Sequence, residues 1–353
     1  LNVRRFVISV LLLIATELLV IAEVNADETL TLGVFAYRPD HILQERYQPL
    51  ADYLSRETGI RIRLEVLNQE NMSRAIAANR LDLFLTNPSH FLLIRSERSL
   101  TGVLASLVRR SGESSTASLG GVIFTRAGRN DIEHLTDLRD KTIASPGVHF
   151  LGGYQTQVLE LLDAGIDIRR VNLIRFLGTH DRVVRSVLSG DADVGFIRTS
   201  ILEQLAQTDP DLFTRVKVLN RQRLAGFPYV VSTRLYPEWP LVALPHVNER
   251  SVRKVASALF AIEPEDDVAL AVGIAGFAPP ADYQSVEYLA RTLRVPPYDQ
   301  VPQLTWVDAL HQYRIWVFTI LVLVMLLVAT SVWLGRSKRQ LASEQRRLRQ
   351  LIR

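Results

Sequence analysis

The sequence predicts an α/β protein: a large strand–helix domain followed by one membrane-spanning helix. Three observations carry this. Short apolar runs alternate with helix-length stretches from Thr29 to about residue 300. A composition of 48% hydrophobic and 22% charged residues over 353 positions supplies enough apolar material for two compact lobes. The run 315–334 then carries twenty residues without a charge. At a rise of about 1.5 Å per residue, such a helix spans a hydrocarbon core of about 30 Å.

The elements follow in order. Residues 30–36 form a short apolar strand. Residues 47–57 read as a helix, with Pro49 in its first turn and Gly59 beyond its end. Residues 61–67 alternate Ile62, Leu64 and Val66 on one face. A short helix covers 72–79, a buried strand 81–85, and Asn87-Pro88-Ser89-His90 opens another helix. A second unit begins after Gly120-Gly121, with strands at 122–125 and 142–144. It continues through helix 153–164, stopped by Gly165, to strand 172–176 and helix 181–189, ended by Gly190. Strand 193–197 and helix 200–206 close it. Residues 226–232 read as a strand, 252–261 and 283–293 as helices. Such alternation implies parallel sheets. Crossings near 121–126 and 222–232 would divide the domain into a first lobe of 27–123 with 226–300 and a second of 124–225.

The net charge of +4 is misleading. Residues 335–353 hold seven Arg or Lys against Glu344, so the tail is +6 and the rest of the chain is −2. The basic balance belongs to the tail, and nucleic-acid binding loses its main support. With no cysteine, the chain has no disulfide staple, thiolate metal site or cysteine nucleophile.

Arg4-Arg5, an apolar run over 6–22 and Val24-Asn25-Ala26 before Asp27 describe a secretory signal peptide. Glu17 and Glu23 sit awkwardly in it, which keeps an uncleaved N-terminal anchor over 1–26 as the second reading. Residues 27–312 are the expected extracytoplasmic domain. The span 313–335 has Trp316 and Trp333 near its ends, with Arg336, Lys338 and Arg339 directly after it. A buried core helix is the other reading, and so long an uninterrupted apolar run argues against it. The positive-inside rule places 336–353 in the cytoplasm. There Leu334, Leu341 and Leu348 recur every seven residues, with Leu351 beside them, as at the start of a signalling coiled coil that would pair two copies. The alternative is a basic tail lying on anionic lipid.

Four loops follow expected strands and precede helices, where open α/β sheets bind ligands. They are Tyr37-Arg38; Thr86 through His90, with Asn87, Ser89 and His90; Ser145 through Gln155, with Gly152, Gly153 and Tyr154; and Thr179-His180-Asp181, joined by Arg198-Thr199-Ser200. Hydroxyls, glycines, histidines and arginines in such places suit a small anion held by backbone N–H groups and short side chains. Bland readings stand beside this. Asn87–Ser89 is also a turn and cap, Gly152-Gly153 also a tight turn, and His180-Asp181 also a helix start. Arg198 at a strand end needs a partner or a ligand. No phosphate-loop Lys-Ser/Thr follows the glycines. No His-Glu-x-x-His or Gly-x-Ser-x-Gly is present, and the seven histidines are scattered. The sequence therefore points to no catalytic residue, metal or cofactor.

The runs at 131–147, 150–167 and 176–205, with the opening at 33–55, the segment 81–93 and the close at 277–298, resemble periplasmic binding proteins of the phosphonate/phosphite type. They also resemble the sensor region of tetrathionate-sensor-type histidine kinases. The resemblance covers about 270 residues. It implies a two-lobed type II periplasmic-binding-protein fold closing on a small anionic solute, a phosphonate, phosphite or sulfur oxyanion, and no enzyme activity. The four loops above become the expected ligand loops. No kinase core is present in the sequence. The expectation is therefore an inner-membrane sensor, the input part of a two-component system: a truncated kinase, a gene fragment, or a subunit served by a separate output protein such as a kinase. The alternative is a tethered component of a phosphate/phosphonate-type ABC transporter. An envelope enzyme acting on a small anion is a third class that nothing in the sequence favours.

Overall fold

The computed structural model describes residues 28–100, 102–171, 173–299 and 313–351. The expected signal segment lies outside these residues. Two units are distinguished, one ending at Asp299 and one beginning at Gln300.

In the first unit the chain forms β1 (Thr29–Phe35), α1 (Asp40–Thr58), β2 (Arg61–Leu67), α2 (Gln69–Ala77), β3 (Leu83–Leu85) and α3 (Pro88–Glu97). A meander follows: β4 (Val103–Ser111), β5 (Ser114–Thr116) and β6 (Ser118–Leu119). The second part holds β7 (Gly121–Arg126), β8 (Ile143–Ser145), α4 (Thr156–Asp163), α5 (Ile168–Val171) and β9 (Ile174–Phe176). It continues with α6 (His180–Ser189), β10 (Val194–Arg198), α7 (Ile201–Ala206), α8 (Leu212–Arg215) and β11 (Val216–Leu219). Then come β12 (Tyr236–Pro237), β13 (Pro240–Ala243), α9 (Glu249–Phe260), α10 (Asp267–Val272), β14 (Ile274–Ala278) and α11 (Gln284–Leu293).

Two main sheets result. The first has the order β14-β4-β13-β3-β1-β2 with β5 on β4, and the second β11-β7-β10-β8-β9. Both are mixed, not parallel throughout as the alternation implied. Strands reached through helices pair in parallel, β1 with β2 and β3, and β8 with β9 and β10. β13, β14 and β7 lie antiparallel to their neighbours. The strip β6–β12 carries both passages between the sheets. β7 therefore runs through the expected 123/124 boundary, and the first crossing lies just before it.

Three expectations are corrected. Residues 226–232 form no strand, because Gly226 turns with φ +73° and Pro228 has no N–H to donate. Residues 103–111 form the nine-residue strand β4, which the sequence reading passed over. The helix expected at 153–164 starts as one π-helical turn over Leu151–Gln155 and becomes α-helical at Thr156.

Among the described residues of the second unit, one helix, α12, runs over Arg314–Leu351. Its stretch Arg314–Ala342 is long and apolar enough to cross a membrane. Helix and heptad thus run on without a break past Leu334.

Candidate ligand-binding site

The strand ends and helix starts of the two sheets face one another across a small cavity. From the first sheet come Phe35 at the end of β1, Tyr37 after it, Asn87 before α3 and Trp239 before β13; from the second, the π-helical turn, His180 and Arg198. Aromatic edges form much of the wall. Phe35 meets Phe150 at 5.2 Å and Trp239 at 5.7 Å between centroids, and Tyr37 meets Trp239 at 5.1 Å. The free space is about 10 Å³, the room of a single water. The walls must part to admit anything larger.

Local sequence dictates this closeness. At Gly152 a Cβ would stand 2.8 Å from the Arg198 Cβ, and at Gly153 2.6 Å from Pro146 Cγ and 2.7 Å from His180 Cε1. Only glycine lets the turn approach the end of β10 and the start of α6.

Three buried polar atoms on the cavity-lining residues have no hydrogen-bond partner: Asn87 Nδ2, His180 Nδ1 and Arg198 Nη1. Buried polar groups are normally paired, and these three gather on the walls of one cavity. Asn87 already caps α3, its Oδ1 accepting from His90 N at 3.1 Å. Its amide is left as a donor. Burial, then Arg198 and Arg38, holds His180 well below the usual imidazole value, so the ring is neutral.

Arg198 is 3% exposed. Its Nη2 donates to Glu238 Oε1 at 2.5 Å and its Nε to the Thr199 carbonyl at 3.2 Å. Arg109 donates from Nε to that same Glu238 oxygen at 3.2 Å. Both guanidiniums lie within 6 Å of the Tyr37 and Trp239 rings, at 5.6–5.9 Å. Two buried cations sharing one carboxylate leave an excess positive charge, which an anion would neutralise. Tyr37 senses it. Burial by itself raises its hydroxyl, yet Arg109, Arg46, Arg198 and Arg38 outweigh burial and bring it down to about 8.

Of the sequence-derived site residues, Tyr37, Asn87, Gly152, Gly153, His180 and Arg198 line the cavity. The others are engaged elsewhere. His90 is a correction: Thr86 Oγ1 and Ser73 Oγ stand 2.8 Å from its two ring nitrogens, and burial, with His149, pushes it down to about 3. It is a neutral, internally satisfied core histidine. Arg38 pairs with Asp181 at 2.6 Å, so this expected anion donor already has its carboxylate. Ser89 donates to Gln155 Oε1 at 2.5 Å, Gln155 to the Val148 carbonyl, and Ser145 to the Gly153 carbonyl. Thr179 caps α6. Thr199 accepts from Gly120 N, Ser200 accepts from Gln204, and Tyr154 packs on Phe176. These hydroxyls and amides fasten the walls instead of facing the cavity.

Phe150, within the expected loop Ser145 through Gln155, lines the cavity too; sequence reasoning missed Phe35, Trp239, Arg109 and Glu238. Two signals pointed to the last pair: an arginine within the apolar run of β4, and a lone acid in the aromatic stretch Tyr236–Pro240. Among the described residues no cluster of His, Cys, Asp and Glu is placed to hold a metal ion.

Two α/β sheets joined by a crossing strip, with a polar-edged aromatic cavity between their strand ends, define a two-lobed type II solute-binding protein. The chain belongs to the family of phosphonate periplasmic substrate-binding proteins of ABC transporters, whose model matches residues 32–284. The family is one of binding proteins, not enzymes. The chain is 26% identical over 310 residues to the tetrathionate sensor histidine kinase TtrS of Salmonella typhimurium, covering 86% of this chain and 50% of the kinase. It thus spans half the length of that relative. It is 21% identical to the phosphate-import protein PhnD of Mycolicibacterium smegmatis, over 60% of this chain and 68% of that one. In fold it is similar to PhnD1 of Prochlorococcus marinus, solved with methylphosphonate. The TM-score there is 0.63 at 14% identity, covering 76% of this chain and 99% of that one.

Proposed function

We propose that the chain is a membrane-anchored extracytoplasmic sensor that closes on a small oxyanion. The observation that carries this is the cavity itself, with unpartnered polar atoms on Asn87, His180 and Arg198 between the two sheets. The ligand's anionic oxygens take the Asn87 amide and the free Arg198 nitrogen, while its body rests on Phe35, Phe150 and Trp239. The relatives' names bring phosphonate, phosphate and tetrathionate to this chain as candidate ligands.

In this reading residues 27–312 lie outside the cytoplasmic membrane, behind a signal peptide or anchor over 1–26. The two lobes exchange chain at the β6–β12 strip, so that β7 lies wholly in the second lobe. The helix crosses at 313–335 and 336–353 emerge in the cytoplasm, where the heptad leucines pair two copies and reach a kinase. Signalling requires that the ligand favour the closed state over the open one. The second reading, a tethered transport component, is supported by the family match. A reporter fused after Arg353 tests the topology: activity confined to the cytoplasm supports the anchored sensor, and periplasmic activity refutes it. Deleting 336–353 separates the two roles. A sensor loses its response and keeps ligand affinity, whereas a transport component keeps its uptake.

A further inference from the structure

A second, larger space lies on the far side of the Arg109–Glu238 pair. It is a cleft of about 520 Å³ between β4, α7 and the end of α10. Arg46, Arg109 and Arg110 line it, with Tyr229, Glu203 and Glu113. Arg109 is 2% exposed, and its Nη2 has no hydrogen-bond partner. Its charge is only half met, because Arg198 competes for the same Glu238 oxygen. Arg46 is held in place by Nη1 donating to Gln204 Oε1 at 2.8 Å. Arg110 is fixed by hydrogen bonds to the Gly112 and Pro264 carbonyls. One buried acceptor is orphaned in the same cleft. Glu203 takes Val230 N on Oε1 at 2.8 Å and leaves Oε2 with nothing.

We propose that this cleft is a second ligand site, for a small organic acid that also carries a hydroxyl or ammonium donor. The acid's carboxylate meets the arginines, which removes the burial cost of the unpaired Arg109 nitrogen. Its donor fills the empty Glu203 oxygen. A simple oxyanion satisfies the first need and not the second. The class is thus set by an orphaned donor and an orphaned acceptor lining one space, and it differs from that of the closed cavity.

The test uses the full chain in detergent and titrates citrate against tricarballylate, the same triacid without the hydroxyl, by calorimetry. Citrate is expected to saturate at least tenfold more tightly than tricarballylate. Arg110→Gln should weaken citrate at least tenfold. Glu113→Gln, at an exposed position in the cleft, should tighten it by removing an opposing charge. Absence of saturable citrate binding overturns the proposal, as does citrate binding no tighter than that of tricarballylate. So does citrate binding that Arg110→Gln and Glu113→Gln both leave unaltered, because the acid then lies outside the cleft. Failure here leaves the cavity reading standing, since that reading is tested by oxyanions and Arg198 alone.

Discussion

Arg38 and Asp181 stand 143 residues apart in the sequence, yet Arg38 Nη2 lies 2.6 Å from Asp181 Oδ1 and Nε lies 3.0 Å from Oδ2. The pair is buried and ties the exit of β1 to the first turn of α6. With Ser89–Gln155 it fastens one sheet's loops to the other's. Removing one member of a buried pair strands the other, at a cost of about 3–5 kcal/mol. Arg38→Met should therefore lower unfolding stability by about that amount, and Arg38→Met with Asp181→Leu should recover most of it. Denaturant titration decides. Wild-type stability in the single variant would show that the pair does not hold the closed form.

Gly153 gives a steric prediction. A Cβ there meets Pro146 and His180 at 2.6–2.7 Å, and overpacking of this kind costs about 1–3 kcal/mol. Gly153→Ala should weaken oxyanion affinity by stopping the walls from closing. Unaltered affinity with a retained fold would mean that closure does not need this approach.

Tyr37 should give the site a pH dependence. Its hydroxyl titrates at about 8 instead of 10.0. The phenolate places a negative charge beside Arg198, so anion affinity should fall as pH rises through about 8. Because the folded value lies below the unfolded one, the folded state gains stability between these two values. Tyrosinate absorbance should show a step near pH 8 that Tyr37→Phe removes. A variant that keeps both the step and the affinity profile would assign them to another group.

His90 acts in the acid range. Its folded value of about 3 lies below the unfolded 6.5. The unfolded chain takes up a proton that the folded one refuses, so stability drains away as pH falls from about 6.5 towards 3. His90→Gln should flatten that part of the stability curve. An acid limb identical to wild type would exclude this contribution.

Much of this was legible in the sequence because strand–helix alternation and the apolar run at 315–334 are local signals. Loops after strands are local as well, which is why Tyr37, Asn87, His180 and Arg198 could be chosen. The misses have physical reasons. Whether a loop hydroxyl faces a cavity or fastens a wall depends on partners far along the chain, as with Ser89 and Gln155, or Thr199 and Gly120. Arg109 and Glu238 were missed because only the pairing of β4 with β13 brings their segments together. The gap in strand assignment at 103–111 concealed that pairing.

The central claim is that Arg198 receives an oxyanion in the cavity. The most direct measurement is a thermal-shift titration of the full chain in detergent with phosphonates, phosphate, phosphite and tetrathionate, comparing wild type with Arg198→Ala. An anion at a hundred times its Kd should stabilise wild type by about 2.7 kcal/mol. Loss of the charged hydrogen bond should weaken binding in the variant by about 1.5–3 kcal/mol. If an anion stabilises both proteins equally, or none stabilises wild type, the cavity is not the anion site.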